Sequence, residues 1–537
     1  MNGRDLRQKL TVARTLLDTG MLHPNWPDRT MRALAALRRY GPTPAAAYRG
    51  AAINHPQRAA LVDERGMLTF RDVDRRTNAL ARALREQGIG EGDGVAIMCR
   101  NHRGFIEATV ACSKLGANAL YLNTAFAAPQ IKDVLAREAP LAVVYDEEFS
   151  ELVAAGAEQR MRFLAWSAAT ADGDGKPLTL EQLIAASEGA PLEPPAEKGR
   201  VVILTSGTTG TPKGAARKQP ESIAPAAALF SKIPLRARQT TMIAAPMFHS
   251  WGFAHFTLGL PLASTLVLRR RFDPEDTLRA VSQHGASVLV LVPVMLQRIL
   301  DLGEQTIARY DVRSLKVIAL SGSALPGELA LRAMDLFGDV LYNLYGSTEV
   351  AWATIATPAE LRAAPGTAGT PPIGTVVKLL DEHGREVPRG EVGRIFVGNE
   401  MTFDGYTGGG GKEVIDGLMS TGDVGRLDEA GRLFVEGRDD EMIVSGGENV
   451  FPREVEDLLS DHEQVREAAV VGVSDEEFGQ RLRAFVVPHE GAAPSEEELQ
   501  AYVKANLARF KVPREVIFLE ELPRNATGKV LKRELRD

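Results

Sequence analysis

"VVILTSGTTGTPKGAAR", residues 201–217, passes from four apolar residues straight into a run of hydroxyls, glycines and one lysine. The apolar tetrad has the composition and bounds of a buried strand. Directly after it, Thr205, Ser206, Gly207, Thr208, Thr209 and Gly210 offer hydroxyls and unencumbered backbone N–H groups, and Lys213 adds a cation. Glycine lets the backbone wrap closely around a guest, and successive N–H groups form an anion-binding concavity. A phosphate suits that chemistry; a flexible surface linker would not follow directly on a Val-Val-Ile-Leu strand. The loop differs from the pattern in which glycine precedes the lysine and serine or threonine follows it. Here Pro212 precedes Lys213 and Gly214 follows. It is a phosphate loop of another kind.

Outward from this loop the chain alternates helical and strand patterns. "TFRDVDRRTNALARALREQGI" (69–89) places Val73, Leu80, Ala83 and Leu84 on one side of a helix. "GVAIMC" (94–99), "ALYLN" (119–123), "LAVVYD" (141–146), "ASVLVLVP" (286–293) and "LKVIALSGS" (315–323) have the makeup of buried strands. Such alternation predicts α/β layers with mainly parallel sheets. "PLEPPAEKG" (191–199) and "APGTAGTPPIGT" (364–375) are loops or linkers. Toward the C-terminus, "EAAVVGV" (467–473) and "LRAFVVP" (482–488) predict strands, and Ser495 with Glu498 predicts a capping box opening a helix. The expected division is a helical prelude (1–45), a large domain (46–439) and a small α/β domain (440–537). In the prelude, Leu6, Leu10, Ala13 and Leu17 recur at helical spacing, which predicts a helix packed on the body; contact with a membrane surface is the secondary reading.

With 537 residues the chain exceeds one core, and 44% hydrophobic with 25% charged residues is ordinary globular composition. A net charge of −7 argues against nucleic acid as a partner. Cys99 and Cys112 lie in apolar contexts without metal-ligand spacing, as buried thiols in a reducing compartment do. Charges at Arg4, Asp5, Arg7, Lys9 and Arg14 exclude a signal peptide at the start. Residues 239–268 carry no formal charge, yet Pro246, His249, Gly252, His255 and Pro261 fit a buried helix and strand better than a bilayer span. The expected location is the cytoplasm.

Two further segments narrow the phosphate chemistry. "YNLYGSTEV" (342–350) sets an amide, an aromatic ring, hydroxyls and a carboxylate in one turn after a strand. Asn343 and Tyr345 suit the edge and face of a purine, Thr348 a phosphate, and Glu349 a magnesium ion among phosphate oxygens. In "STGDVGRL" (420–427), Asp423 is an acceptor for paired ribose hydroxyls. "EGRDDEMIVSGGENVFPREVE" follows, and "LPRNATGKVLKREL" near the end puts a lysine behind a Thr-Gly turn.

In this order and at these separations the segments resemble the adenylate-forming superfamily of acyl- and aryl-CoA synthetases, luciferases and nonribosomal adenylation domains. The resemblance covers nearly the whole chain after residue 45, and in style it is closest to actinobacterial fatty-acyl-CoA ligases. It implies that the Thr205–Gly214 loop binds the β- and γ-phosphates of ATP, with Thr208 joining Glu349 at magnesium. It puts Gly322 and Ser323 of "SGSALP" beside adenine, together with Asn343, Tyr345 and Gly346. Thr348 would meet the α-phosphate, Asp423 and Arg438 the ribose. Lys529 would be the adenylation lysine, Asp440 the hinge of the small domain, and Gly446 and Gly447 the lining of the coenzyme A tunnel. His249, in "APMFHSWGFAHFTLGLPLA" (245–263), would gate the acyl channel or orient the carboxylate, the alternative being a hydrogen-bonded core histidine. Trp251, Phe253, Phe256 and Leu258 would wall the acyl pocket. Leu418 stands where many relatives have tryptophan, and "GGGGK" (408–412) is an insertion without an assigned role.

The implied activity is ATP-dependent ligation of a fatty acid to coenzyme A through an acyl-adenylate. An aryl-acid ligase and an acyl-AMP ligase loading a carrier protein are the rivals; a nucleotide-binding sensor is disfavoured because Lys529, Glu349 and Lys213 are all present. The expected partners are a carboxylic acid, ATP and coenzyme A, and the expected assembly a homodimer.

Overall fold

The computed structural model describes residues 3–21, 27–157, 160–167, 177–205, 213–216, 223–403, 405–406, 409–441, 443–445, 448–475, 479–507, 511–525 and 528–535. Two mainly parallel sheets hold most of the large core. The first runs Thr354–Ala356, Leu341–Tyr345, Val317–Leu320, Val288–Leu291, Thr240–Ile243, Thr265–Leu268, Ala59–Asp63 and Gly66–Thr69. Its six inner strands are parallel and its two outer ones antiparallel. The second runs Gly405–Tyr406, Lys213–Ala216, Val201–Thr205, Asn118–Tyr121, Gly94–Met98, Ala142–Asp146 and Met161–Trp166. The inner strands read as unbroken apolar runs because helices cover both faces of such sheets. Val288–Leu291, for instance, is buried at all four positions.

Helix Phe70–Glu86 buries Val73, Leu80, Ala83 and Leu84, and it starts at Thr69, which forms a reciprocal capping box with Asp72. Residues 239–268 form strand Thr240–Ile243, helix Ser250–Gly259 and strand Thr265–Leu268 inside the first layer. No helix among the described residues is long and apolar enough to cross a membrane. Both cysteines are buried free thiols. Cys99 lies in a sealed cluster with His102 and Asp146. His102 accepts from Gly104 N–H at Nδ1, capping helix Arg103–Leu115, and meets Asp146 at 2.7 Å through Nε2, so both ring nitrogens are occupied.

A third, antiparallel sheet combines Val376–Leu380, Gly393–Gly398, Leu418–Leu427, Val414–Ile415 and Leu433–Arg438 around its own apolar cluster. A fourth, from Ile443–Ser445, Glu448–Val450, Val465–Asp475, Gly479–Pro488 and Glu515–Phe518, has a separate cluster with helices Pro452–Ser460 and Glu496–Asn506.

Three expectations need correction. Strand Val201–Thr205 forms, but Val201, Val202 and Ile203 are only half-buried, because this strand lies near the end of its sheet. Ser495 does accept from Glu498 N–H at 3.1 Å, whereas the Glu498 carboxylate turns to Gln464 instead of closing the box. Helix Gly3–Asp18 forms, but Leu10 and Leu17 are 62% and 60% exposed; Leu16 faces the body instead. Leu10, Ala13 and Leu17 of that stripe face solvent, and the Leu6 side chain lies outside the described residues.

Candidate active site

The inner strands of the first sheet all run the same way, so the segments after them collect along one edge. Ligands of open parallel sheets bind outside such carboxyl ends. Strand Thr240–Ile243 leads to His249, Val317–Leu320 to Gly322 and Ser323, and Leu341–Tyr345 to residues 346–349. Asn343 is buried, and its Oδ1 has no hydrogen-bond partner among the described residues. An unpaired buried carbonyl is costly, and a purine amino group is the kind of donor it lacks. Gly322 has a φ of +99°, a conformation glycine tolerates.

The turn after Tyr345 is fixed from both sides. A Cβ on Gly346 would lie 2.3 Å from the Ala351 carbonyl oxygen, so the glycine is required by close backbone approach. Ser347 Oγ accepts from the N–H groups of Glu349 and Val350. Thr348 Oγ1 stands 3.5 Å from Ser250 Oγ at the start of helix Ser250–Gly259, next to His249. His249 caps that helix by position only; its side chain makes no capping bond and its Nε2 has no partner. Burial holds its pKa down at about 3. The imidazole is neutral, which removes it as a cationic partner for a carboxylate.

The third sheet supplies a polar cluster facing this turn. Asp423 and Arg438 are opposite one another in the register of Leu418–Leu427 and Leu433–Arg438. Arg438 Nη1 donates to Asp423 Oδ1 at 3.2 Å, and Tyr345 Oη donates to Asp423 Oδ2 at 2.5 Å. Burial raises the Asp423 carboxyl above its usual range; Tyr345, Arg438 and Lys529 oppose that shift. Burial and the facing Asp423 push the Tyr345 phenol well up. Lys529 belongs to the C-terminal segment, yet its charge is among those that hold the Asp423 carboxyl down. Its turn is tight: Lys529 N–H donates to Asn525 Oδ1 at 2.9 Å, Asn525 N–H to the Lys529 carbonyl at 2.9 Å, and Gly528 has a φ of +80°. Gly528 rests on Val294, after strand Val288–Leu291.

The sequence reading missed Tyr406. Its hydroxyl donates to Glu349 Oε1 at 2.7 Å, and Phe403 N–H donates to the Glu349 carbonyl at 2.8 Å. Burial and the Glu349 carboxylate raise this phenol. Tyr406 pairs with Ala215 on the strand that returns from the phosphate loop. Only that spatial pairing reveals it; the sequence offers just an aromatic ring before a glycine run.

The phosphate loop itself, from Ser206 through Gly210, and Gly446 and Gly447 lie outside the described residues. Its flanks pair as antiparallel strands, with Thr205 opposite Lys213 and Leu204 opposite Gly214. Asp440 belongs to the 3-10 turn Asp439–Glu441, between the third and fourth sheets. Of the presumed pocket walls, Phe256 is fully buried against Tyr48 and Phe253, and Trp251 donates to the Leu291 carbonyl at 3.1 Å. A separate surface cleft of about 620 Å³ beside Arg269–Arg271 contains none of the expected residues, and its arginines pair with Asp276 and Glu148.

Residues 49–407 match the model of the AMP-binding enzyme family, and residues 454–529 that of the AMP-binding enzyme C-terminal domain. The chain is 31% identical over 503 residues to a fatty acid–[acyl-carrier-protein] ligase of Streptomyces coeruleorubidus, covering 90% of this chain and 94% of the relative. It is 33% identical over 476 residues to a feruloyl-CoA synthase of an Amycolatopsis species, covering 87% and 93%. Among solved structures, the o-succinylbenzoate CoA synthetase of Bacillus subtilis in complex with its acyl-adenylate intermediate superposes with a TM-score of 0.80 at 26% identity, over 91% of this chain and 98% of that one. Matches that run nearly end to end in both sequence and fold make the chain a member of the AMP-binding enzyme family within the adenylate-forming superfamily, an AMP-forming acid–thiol ligase.

Proposed function

We propose that the protein activates a fatty acid with ATP and transfers the acyl group to coenzyme A. The observation that carries this reading is the Lys529 turn, seated on Val294 just after strand Val288–Leu291 and so at the sheet edge where the segments of Ser323, Asn343 and Thr348 collect. That is where a cation must stand when two anions, a carboxylate and a triphosphate, are brought together. The carboxylate oxygen attacks the α-phosphorus, the bond to the β-phosphate oxygen breaks, and pyrophosphate leaves. Lys529, Lys213 and the loop hydroxyls neutralise the charge that accumulates, and loss of one such donor costs about 2.7–4 kcal/mol of barrier by analogy with oxyanion holes. Asp423 and Arg438 hold the ribose, Asn343 the adenine amino group, and Thr348 the α-phosphate.

Magnesium suits the oxygen donors here, since it takes one or two carboxylates and completes its shell with phosphates and water. Glu349, with Oε1 fixed by Tyr406, and Thr208 would hold it, and it would supply charge neutralisation at the phosphates. In the second half-reaction the thiol attacks the acyl carbonyl and AMP departs. Rotation of residues 440–537 about Asp440 withdraws Lys529 and brings Gly446 and Gly447 to the site. The alternative of an aryl acid is supported by the feruloyl-CoA synthase, and that of a carrier-protein acceptor by the Streptomyces ligase. The N-terminal helices add contact with an anionic lipid surface.

The test is a product assay by mass spectrometry with ATP, magnesium, coenzyme A and mixed C4 to C18 fatty, benzoic and cinnamic acids. Alkyl-CoA products are expected. Aryl-CoA products alone would move the substrate class, and acyl-adenylate without thioester would move the acceptor to a carrier protein.

A further inference from the structure

The glycine insertion at 408–411 gains a role from what it delivers. Among its described residues, Gly409 and Gly410 have φ values of +85° and +89°, and the turn closes through Gly409 N–H to the Tyr406 carbonyl at 2.9 Å. Tyr406 N–H returns to the Gly410 carbonyl at 3.2 Å. Two consecutive left-handed residues make so tight a reversal a task for glycine. The chain leaves the reversal at Lys412, whose neighbour Glu413 accepts Ser420 N–H at 2.9 Å on strand Leu418–Leu427. Lys412 is therefore fixed by its backbone beside the strand that carries Asp423.

Its side chain leans over Gly422. A Cβ on Gly422 would lie 3.2 Å from Lys412 Nζ and 3.3 Å from Arg438 Nη2, so the missing side chain leaves room for two cations. Lys412 is half-buried, and among the described residues it has no hydrogen bond or ion pair. The nearby acids are engaged elsewhere: Asp423 with Tyr345 and Arg438, and Glu413 and Asp439 with Arg394. Lys529 adds a third positive charge near Asp423. Like charges gathered in a half-buried setting repel, and Asp423 is the one carboxylate that the described contacts place among them, already shared with Tyr345 and Arg438, so the cluster is short of negative charge.

We propose that Lys412 binds a phosphoryl oxygen of the nucleotide whose ribose sits on Asp423, and that the glycine reversal exists to place it there. The inference rests on the nucleotide site proposed above. An ammonium supplies a compact point charge suited to phosphate, without the geometric demand of a guanidinium.

The test is calorimetric binding of AMP, ATP and adenosine to the intact protein and to its Lys412→Ala and Lys412→Arg variants, with melting of the ligand-free proteins alongside. Lys412→Ala is expected to bind AMP and ATP roughly tenfold to a hundredfold more weakly, the range for one charge-assisted hydrogen bond, and adenosine as before. Lys412→Arg should retain most of the phosphate affinity, and the KM for ATP in pyrophosphate exchange should rise in the alanine variant. Unchanged AMP affinity, or an equal loss for adenosine, would overturn the assignment. A wild-type protein that binds none of the three would instead refute the nucleotide site on which it rests. If Lys412→Ala melts early, Lys412→Arg compared with Lys412→Gln carries the comparison.

Discussion

His255 is almost fully buried, its ring meets Trp251 edge-on at 4.5 Å, and its Nε2 has no partner among the described residues. Burial depresses its pKa from 6.5 to about 3. Below pH 6.5 the unfolded chain takes up a proton that the folded chain refuses, so stability falls as pH drops from about 6.5 toward 3. The slope is about 1.4 kcal/mol per pH unit for each such histidine. His249 adds a second one. The loss in unfolding free energy between pH 7.5 and 5.0 is expected to be smaller in His255→Leu than in the wild type, by about 2 kcal/mol. Equal losses in a urea titration at both pH values would mean that this imidazole is already charged in the folded state. At this scale the sequence reading named most of the polar residues that gather at the site: Asn343, Tyr345, Glu349, Asp423, Arg438 and Lys529 are chemically distinctive and sit in short runs. Tyr406 and Lys412 escaped it because their neighbours, Glu349 and Gly422, are defined by strand pairing and not by chain order.

The turn from Asn525 to Lys529 is the element on which adenylation depends in the proposed mechanism. A Cβ on Gly528 would lie 2.5 Å from Val294 Cγ1, and its φ of +80° is already unfavourable for any other residue. Gly528→Ala is therefore expected to unseat the turn and displace Lys529, slowing acyl-adenylate formation at least roughly tenfold for a strain of about 1–2 kcal/mol or more. Thioester formation from supplied acyl-adenylate and coenzyme A should be nearly unaffected, because in the proposed mechanism that half-reaction uses another face of the small domain. Parallel loss of both half-reactions in single-turnover assays would show that the turn stabilises the fold without serving adenylation specifically. Elements of this kind differ in how far a sequence exposes them. The inner strands of the first sheet are legible because burial on both faces makes them continuously apolar, as in Val317–Leu320. The order of those strands is not, since Ala59–Asp63 pairs with Thr265–Leu268 from two hundred residues away. The Ser495 cap was half legible: the hydroxyl has one local donor to satisfy, whereas Glu498 had a choice and found Gln464.

Across the whole molecule the charge is divided unevenly. Residues 1–40 contain eight Lys and Arg against three Asp, a net +5 in a chain of net −7. Among the described residues, the same segment holds five of the thirteen exposed large hydrophobic ones: Leu10, Leu17, Met31, Leu34 and Leu37. Helix Pro27–Tyr40 anchors itself through Ala36 and Tyr40, whose hydroxyl donates to the Leu192 carbonyl at 3.1 Å, and leaves Met31, Leu34 and Leu37 in solvent beside Arg38. Residues three apart on a helix share an arc, but spacing alone does not show which way that arc faces. Apolar residues edged by arginine, facing water, match an interfacial helix on an anionic bilayer. The acidic remainder of the chain would be repelled by the same surface, so binding should depend on this segment alone and weaken with salt. The wild type is expected to sediment with phosphatidylglycerol-containing vesicles and not with phosphatidylcholine vesicles. Replacing Met31, Leu34 and Leu37 together by serine should reduce that partitioning roughly tenfold or more, given the apolar area withdrawn. The melting temperature should hardly move, because these side chains are already exposed in the folded protein. A variant that sediments undiminished would assign the contact to another surface, and a wild type that stays in the supernatant would leave the apolar arc to a protein partner.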